Sequence, residues 1–170
     1  MPELGRLTRD QFHQLQKHSI ILILDNIRSG SNVGSIFRTA DAFALERFIL
    51  CGITPQPPHR EILKTALGAT DSVPWTYSDD IIHTIQDLQN DNYHVWPIEQ
   101  TDRSRDISRV AWKKEERFAL VFGNEVSGVS EDILGILDES IEIPQFGTKH
   151  SLNVAVSAGI VVWHVLNAME

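Results

Sequence analysis

Residues 152–165, LNVAVSAGIVVWHV, are apolar on nearly every side of a helix, and this run restricts the fold more than any other. Leu152, Ala155, Val156, Gly159, Ile160 and Trp163 make one stripe at helical spacing, and Val154, Ala158, Val161, Val162 and Val165 make a second. A helix apolar all round has to be covered from more than one direction. Ser151, Asn153, Ser157 and His164 interrupt the run too often for a membrane span, so it belongs inside a layered protein. Upstream, residues 141–143 read as a strand that Pro144 closes, because proline has no N–H for a neighbouring strand. The loop 145–150, QFGTKH, is polar and carries a glycine for an unusual turn. Ser151 reads as the helix cap. It places polar residues at a helix mouth, where backbone N–H groups are free to meet a ligand.

The rest of the chain alternates strands and helices. Residues 19–25, SIILILD, and 118–122, FALVF, are continuous apolar runs, the pattern of strands covered on both faces. Thr8 and Gln11 can form a capping box for a short helix over 8–17. Asn32 reads as the cap of a helix reaching about residue 44, with Val33, Ile36, Phe37, Ala40 and Phe43 inside and Arg38 off that stripe. Shorter strands are expected at 48–51, 73–77 and 93–98, the second near a sheet edge because of Pro74. Helices are expected over 61–67, 79–89 and 130–137, with 102–116 a charged connection. Such alternation implies an α/β layer fold with a mostly parallel sheet, one domain over residues 1–170 with 1–18 as a helical extension. In sheets of this kind ligands bind beyond the carboxyl ends of the strands.

Charge limits the function classes. The chain has 15 Lys+Arg against 23 Asp+Glu, a net charge of −8, which argues against holding nucleic acid by bulk charge. It leaves room for a local patch from Arg28, Arg38, Lys149 and His150. The single cysteine, Cys51, forms no internal disulfide and fits a reducing cytoplasm. The N-terminus has no apolar signal core, no run reaches membrane length, and no histidine falls in a metal-ligand spacing, so no metal is expected.

Three segments at strand ends are rich in residues that do not help a core: 26–41, NIRSGSNVGSIFRTAD; 121–130, VFGNEVSGVS; and 143–153, IPQFGTKHSLN. Taken singly, each has an ordinary structural reading. Asn32 and Ser151 are good caps, Gly123 and Gly128 suit turns, and Arg38 and Glu125 suit surface ion pairs. The functional reading rests on all three lying at the same end of the sheet.

Together the three segments resemble the signature motifs of the SpoU (TrmH-like) branch of the SPOUT RNA methyltransferases. The residues that carry the likeness are Asn32, Gly34, Arg38 and Thr39, then Gly123, Glu125 and Gly128, then Ile143, Pro144, Gly147, Ser151, Leu152 and Asn153. One such match arises easily by chance; three in order do not. The chain departs from the pattern at Ser29, where an acidic or amide residue is common, and at Trp163-His164.

The resemblance implies a six-stranded, mostly parallel sheet flanked by helices, with the C-terminal segment threaded as a trefoil knot. It implies a cytoplasmic homodimer with the last helix in the interface. S-adenosylmethionine would be bound by Ile98, Glu99, Gly123, Ile143, Ser151 and Leu152. The reaction implied is methylation of a ribose 2′-hydroxyl in RNA, tRNA ahead of rRNA. Arg38 would be the central catalytic residue, supported by Asn32, Glu125, Ser151 and Asn153, with Arg28, Arg38, Lys149 and His150 holding the substrate. The competing expectation is a non-catalytic RNA-binding protein on the same fold.

Overall fold

Strands that are apolar on both faces need helices on each side, and the chain supplies both layers. The computed structural model describes residues 8–148 and 151–170. Helix α1 (Arg9–Gln14) is closed by the Thr8–Gln11 capping box and leads into β1 (His18–Asp25). Next come α2 (Gly30–Ala42), β2 (Leu45–Cys51), α3 (Arg60–Ala66), the single turn α4 (Ala69–Ser72) and β3 (Trp75–Ser78). Helix α5 (Ile81–Asn90) and β4 (Tyr93–Pro97) follow, then a short β5 (Ser104–Asp106) inside the charged connection. The chain closes with β6 (Arg117–Phe122), α6 (Glu131–Ile136), β7 (Ser140–Glu142) and α7 (Val154–Ala168).

The main sheet runs β3-β2-β1-β6-β4 and every pairing in it is parallel. Side-chain alternation along β1 divides the core in two. Ile20, Leu22 and Leu24 pack with Ile36, Phe37, Ile62, Val161 and Val162, so α2, α3 and α7 cover one face. Ile21 and Ile23 pack with Ile85, Leu88, Val121 and Ile133, so α5 and α6 cover the other. β3 is at an edge, as Pro74 implied.

The expected sixth strand is placed differently. β7 pairs with β5 in a separate parallel ribbon and touches the main sheet at one bridge, Ile98 to Ile141, where the Glu99 N–H donates to the Ile141 carbonyl at 3.0 Å. β7 is three residues long and its ladder is used by β5, so one residue is all it offers to the edge of β4.

Two helix starts also differ from expectation. α2 begins at Gly30, capped by Ser29, whose Oγ accepts from the Asn32 N–H at 3.2 Å. Asn32 is therefore in the first turn, with its amide free to face other loops. Ser29, the departure from the family pattern, is thus itself the cap of α2. α7 begins at Val154, capped by Asn153 rather than Ser151: Asn153 Oδ1 accepts from the N–H groups of Ala155 (2.9 Å) and Val156 (3.3 Å). Two orphan donors are satisfied there, and Ser151 and Leu152 stay outside the helix. Gly34 sets the approach of α2 to α3, because a Cβ there would come within 2.1 Å of Thr65 Oγ1 and 2.4 Å of the Ile62 carbonyl.

Candidate active site

The carboxyl end of β1 is tied down before it turns. Asn26 takes a left-handed φ of 54°, and its Oδ1 accepts from the Ile53 N–H at 3.2 Å. Buried Thr54 bridges the same turn: its hydroxyl donates to the Leu24 carbonyl (3.0 Å) and accepts from the Ile27 N–H (3.1 Å). Asp25 is 2% exposed; burial raises its pKa, and a hydrogen bond from the Asn26 amide works against that rise. Burial pushes the Cys51 thiol up to about 12, which leaves it unreactive.

The loop after β6 is built around Asn124. Its backbone pairs with Gly128 through two 2.9 Å hydrogen bonds, and its Oδ1 accepts from the N–H groups of Val126 and Ser127. Its Nδ2 donates to the Asn26 carbonyl at 2.7 Å, fastening this loop to the end of β1. Gly128 has a φ of +69°, and a Cβ there would lie 2.2 Å from Glu99 Oε2. A Cβ on Gly123 would lie 2.3 Å from the Gly128 carbonyl. Both glycines are thus required by close approach. Glu99 holds the loop from the other side, accepting from the Val129 N–H at 2.9 Å.

A chain of side-chain hydrogen bonds then joins all three segments. Glu125 accepts from the backbone N–H groups of Arg28 (3.0 Å) and Ser29 (3.1 Å), and from the Asn32 amide at 3.1 Å. Asn153 in turn donates to Asn32 Oδ1 at 3.1 Å. Partial burial works to raise the Glu125 pKa. The hydrogen bonds from Arg28, its own N–H, Asn32 and Ser29 outweigh that, and its carboxyl lies below the ordinary value.

Beside this chain is a cavity of about 460 Å³. Ile98, Glu99, Gly123, Ile143, Ser151 and Leu152 all line it, as do Glu125 and Asn153. Ser151 and Leu152 make no hydrogen bond among the described residues. The cavity matches small-molecule sites, which span roughly 300–1,000 Å³ and mix apolar walls with a few polar groups. Among the described residues no cluster of His, Cys, Asp or Glu could hold a metal ion, and no helix is long and apolar enough to cross a membrane.

Arg38 and Arg28 do not line the cavity. Arg38 is exposed, on the α2 row that also carries Ser31 and Ser35, whose Oγ donates to the Ser31 carbonyl. Arg28 is exposed and reaches Glu125 through its backbone. Lys149 and His150 lie outside the described residues. Sequence reasoning missed Asn124 and Thr54. Asn124 had a signal, an asparagine straight after a strand and a glycine, where Asx turns form. Thr54 had none, being 30 residues from its partner Leu24.

A profile of the SpoU rRNA Methylase family matches residues 19–163. The 23S rRNA (guanosine-2′-O-)-methyltransferase RlmB of Neisseria meningitidis is 32% identical over 153 residues, 90% of this chain and 60% of that protein. An A. aeolicus TrmH/SpoU tRNA modifying enzyme has the same fold, with a TM-score of 0.83 at 23% identity over 94% of this chain and 81% of that one. An AdoMet-bound rRNA methyltransferase from Sinorhizobium meliloti superposes with a TM-score of 0.78 at 24% identity, over 94% and 60% of the two chains. The chain spans about three fifths of the length of the sequence relatives it matches.

Proposed function

The chain belongs to the SpoU rRNA Methylase family, and from that premise we propose that it transfers the methyl group of S-adenosylmethionine to a ribose 2′-hydroxyl in RNA, tRNA ahead of rRNA. The observation that carries this reading is the hydrogen-bonded chain Glu125–Asn32–Asn153. It ties Asn32 of the first segment to Glu125 and Asn153, which line the cavity and come from the other two.

The donor would be held by Ile98, Glu99, Gly123, Ile143, Ser151 and Leu152, whose mixture of apolar walls and polar groups suits a molecule with an adenine, a ribose and a charged tail. When bound, it supplies an electrophilic methyl on a sulfonium. The protein's task is alignment, since in-line displacement needs the accepting oxygen held opposite the sulfur. Ser151 orients the hydroxyl at the cavity rim. Glu125, Asn32 and Asn153 brace the loops. Arg38 lies outside the cavity lining, so it meets the RNA rather than the donor. As a permanently charged guanidinium it stabilises the developing alkoxide and the neighbouring phosphate.

The reading includes the threaded C-terminus, a cytoplasmic setting and a homodimer. Support for the dimer is the outward face of α7, where Val156, Ile160 and Trp163 are 51%, 39% and 59% exposed. Methyl incorporation from labelled S-adenosylmethionine into bulk RNA tests the reaction. The protein labels RNA at 2′-hydroxyls, and Arg38→Ala falls at least a hundredfold. Equal labelling by both overturns the assignment of Arg38. RNA retention without labelling by either favours the non-catalytic alternative.

A further inference from the structure

A second cleft, of about 430 Å³, opens where α2 meets α3 and is lined by Ser31, Arg60, Glu61, Lys64 and Thr65. Its floor is fixed. Thr65 Oγ1 donates to the Ser31 carbonyl at 3.0 Å, and Gly34 lets the two helices close beside it. Arg60 and Lys64 are four residues apart on α3, so their side chains share one face. Both are exposed, and among the described residues neither has a carboxylate within ion-pair distance. The same holds for Arg28 and Arg38 on the neighbouring loop and helix. Three cations elsewhere are paired: Arg105 with Glu139, Lys113 with Glu116 and Arg117 with Glu46. In a chain with a net charge of −8, two unpaired cations lining one cleft beside a hydroxyl-bearing helix turn suit an anion.

The cleft also stands in a definite relation to the cavity. Asn32 faces the Glu125–Asn153 chain, while Ser31, the residue before it, borders the cleft. Successive helical residues point about 100° apart, so the first turn of α2 separates the two. An RNA strand whose ribose rests at the cavity rim crosses that turn to reach the cleft.

We propose that Arg60 and Lys64, with the Ser31 hydroxyl, hold a backbone phosphate of the RNA strand flanking the methylated nucleotide. This rests on the RNA-methyltransferase reading above. A guanidinium beside an ammonium suits a phosphate: Arg offers a planar fork of donors and Lys a point charge. Glu61 is the one acidic side chain on the cleft, and its Cβ lies on the Gly30 side, against the first residue of α2. The contact is to the backbone, so it positions the strand without reading sequence.

The test compares Arg60→Gln/Lys64→Gln with a charge-matched control, Lys113→Gln/Lys114→Gln, using bulk tRNA as the probe. Retention on filters is measured across a salt series, methyl transfer by KM and kcat, and donor binding by calorimetry with S-adenosylmethionine alone. For the cleft variant the RNA KM rises at least tenfold and kcat changes less than twofold. Its log-affinity against log-salt slope flattens by about 1 to 2, and donor binding and thermal unfolding match the wild type. The control pair leaves the RNA terms unchanged. Wild-type RNA affinity and slope in the cleft variant, or equal losses in both variants, overturn the proposal while the function stands. If the unaltered protein neither retains nor methylates RNA, the functional reading itself fails and takes the subsite with it.

Discussion

Glu125 shows how much one side chain depends on its surroundings. In sequence it looks like a surface carboxylate; in the fold it receives two backbone N–H groups and an amide. Its carboxyl titrates below the ordinary value of 4.5, so the charged form is favoured by folding. The sign follows: its contribution is complete above the unfolded value and is lost as pH falls below 4.5 through the lower folded value. Thermal unfolding of the wild type and Glu125→Gln across that interval is expected to differ most at neutral pH and to converge in acid. At neutral pH the variant is less stable by about 1 kcal/mol, since a glutamine leaves one N–H facing a donor. A gap that widens in acid contradicts this. Position 125 was legible as a motif member. Its partners, more than 90 residues away, were not.

At the scale of elements, the buried strands β1 and β6 followed from their apolar runs and the two stripes of α7 from periodicity, because burial acts directly on apolar side chains. The starts of α2 and α7 did not follow. Ser29 and Asn32 are both competent caps, as are Ser151 and Asn153, and local sequence ranks them poorly when a distant loop competes for one of them. Helix contacts were hidden too. Gly34 reads locally as a weak point in a helix, yet it is where α2 and α3 close most tightly. Gly34→Ala, harmless by helix propensity, is expected to cost about 1–3 kcal/mol by overpacking against Thr65 and the Ile62 carbonyl. A denaturant midpoint equal to or above that of the wild type would show that the helices separate without penalty.

At the scale of the whole molecule, α7 buries one stripe and presents the other. Val154, Ala158, Val161, Val162 and Val165 are within the core, whereas Val156, Ile160 and Trp163 face outward. If a second copy covers that face, Ile160→Glu/Trp163→Glu is expected to sediment as a monomer at micromolar concentration with its far-ultraviolet spectrum unchanged, and the wild type as a dimer. A monomeric wild type removes the proposed interface. The two stripes were plain in the sequence; which one the chain covers for itself was decided by the sheet beneath it. That division holds generally here. Sequence alone determined the buried strands, the parallel α/β layering, the three polar segments and the family, because each depends on local pattern. Tertiary structure decided that β7 joins the main sheet by one residue, that Asn124 and Thr54 fasten the site, and that Arg38 stands outside the cavity. Those outcomes depend on hydrogen bonds and contacts between residues distant in the chain, for which no local pattern exists.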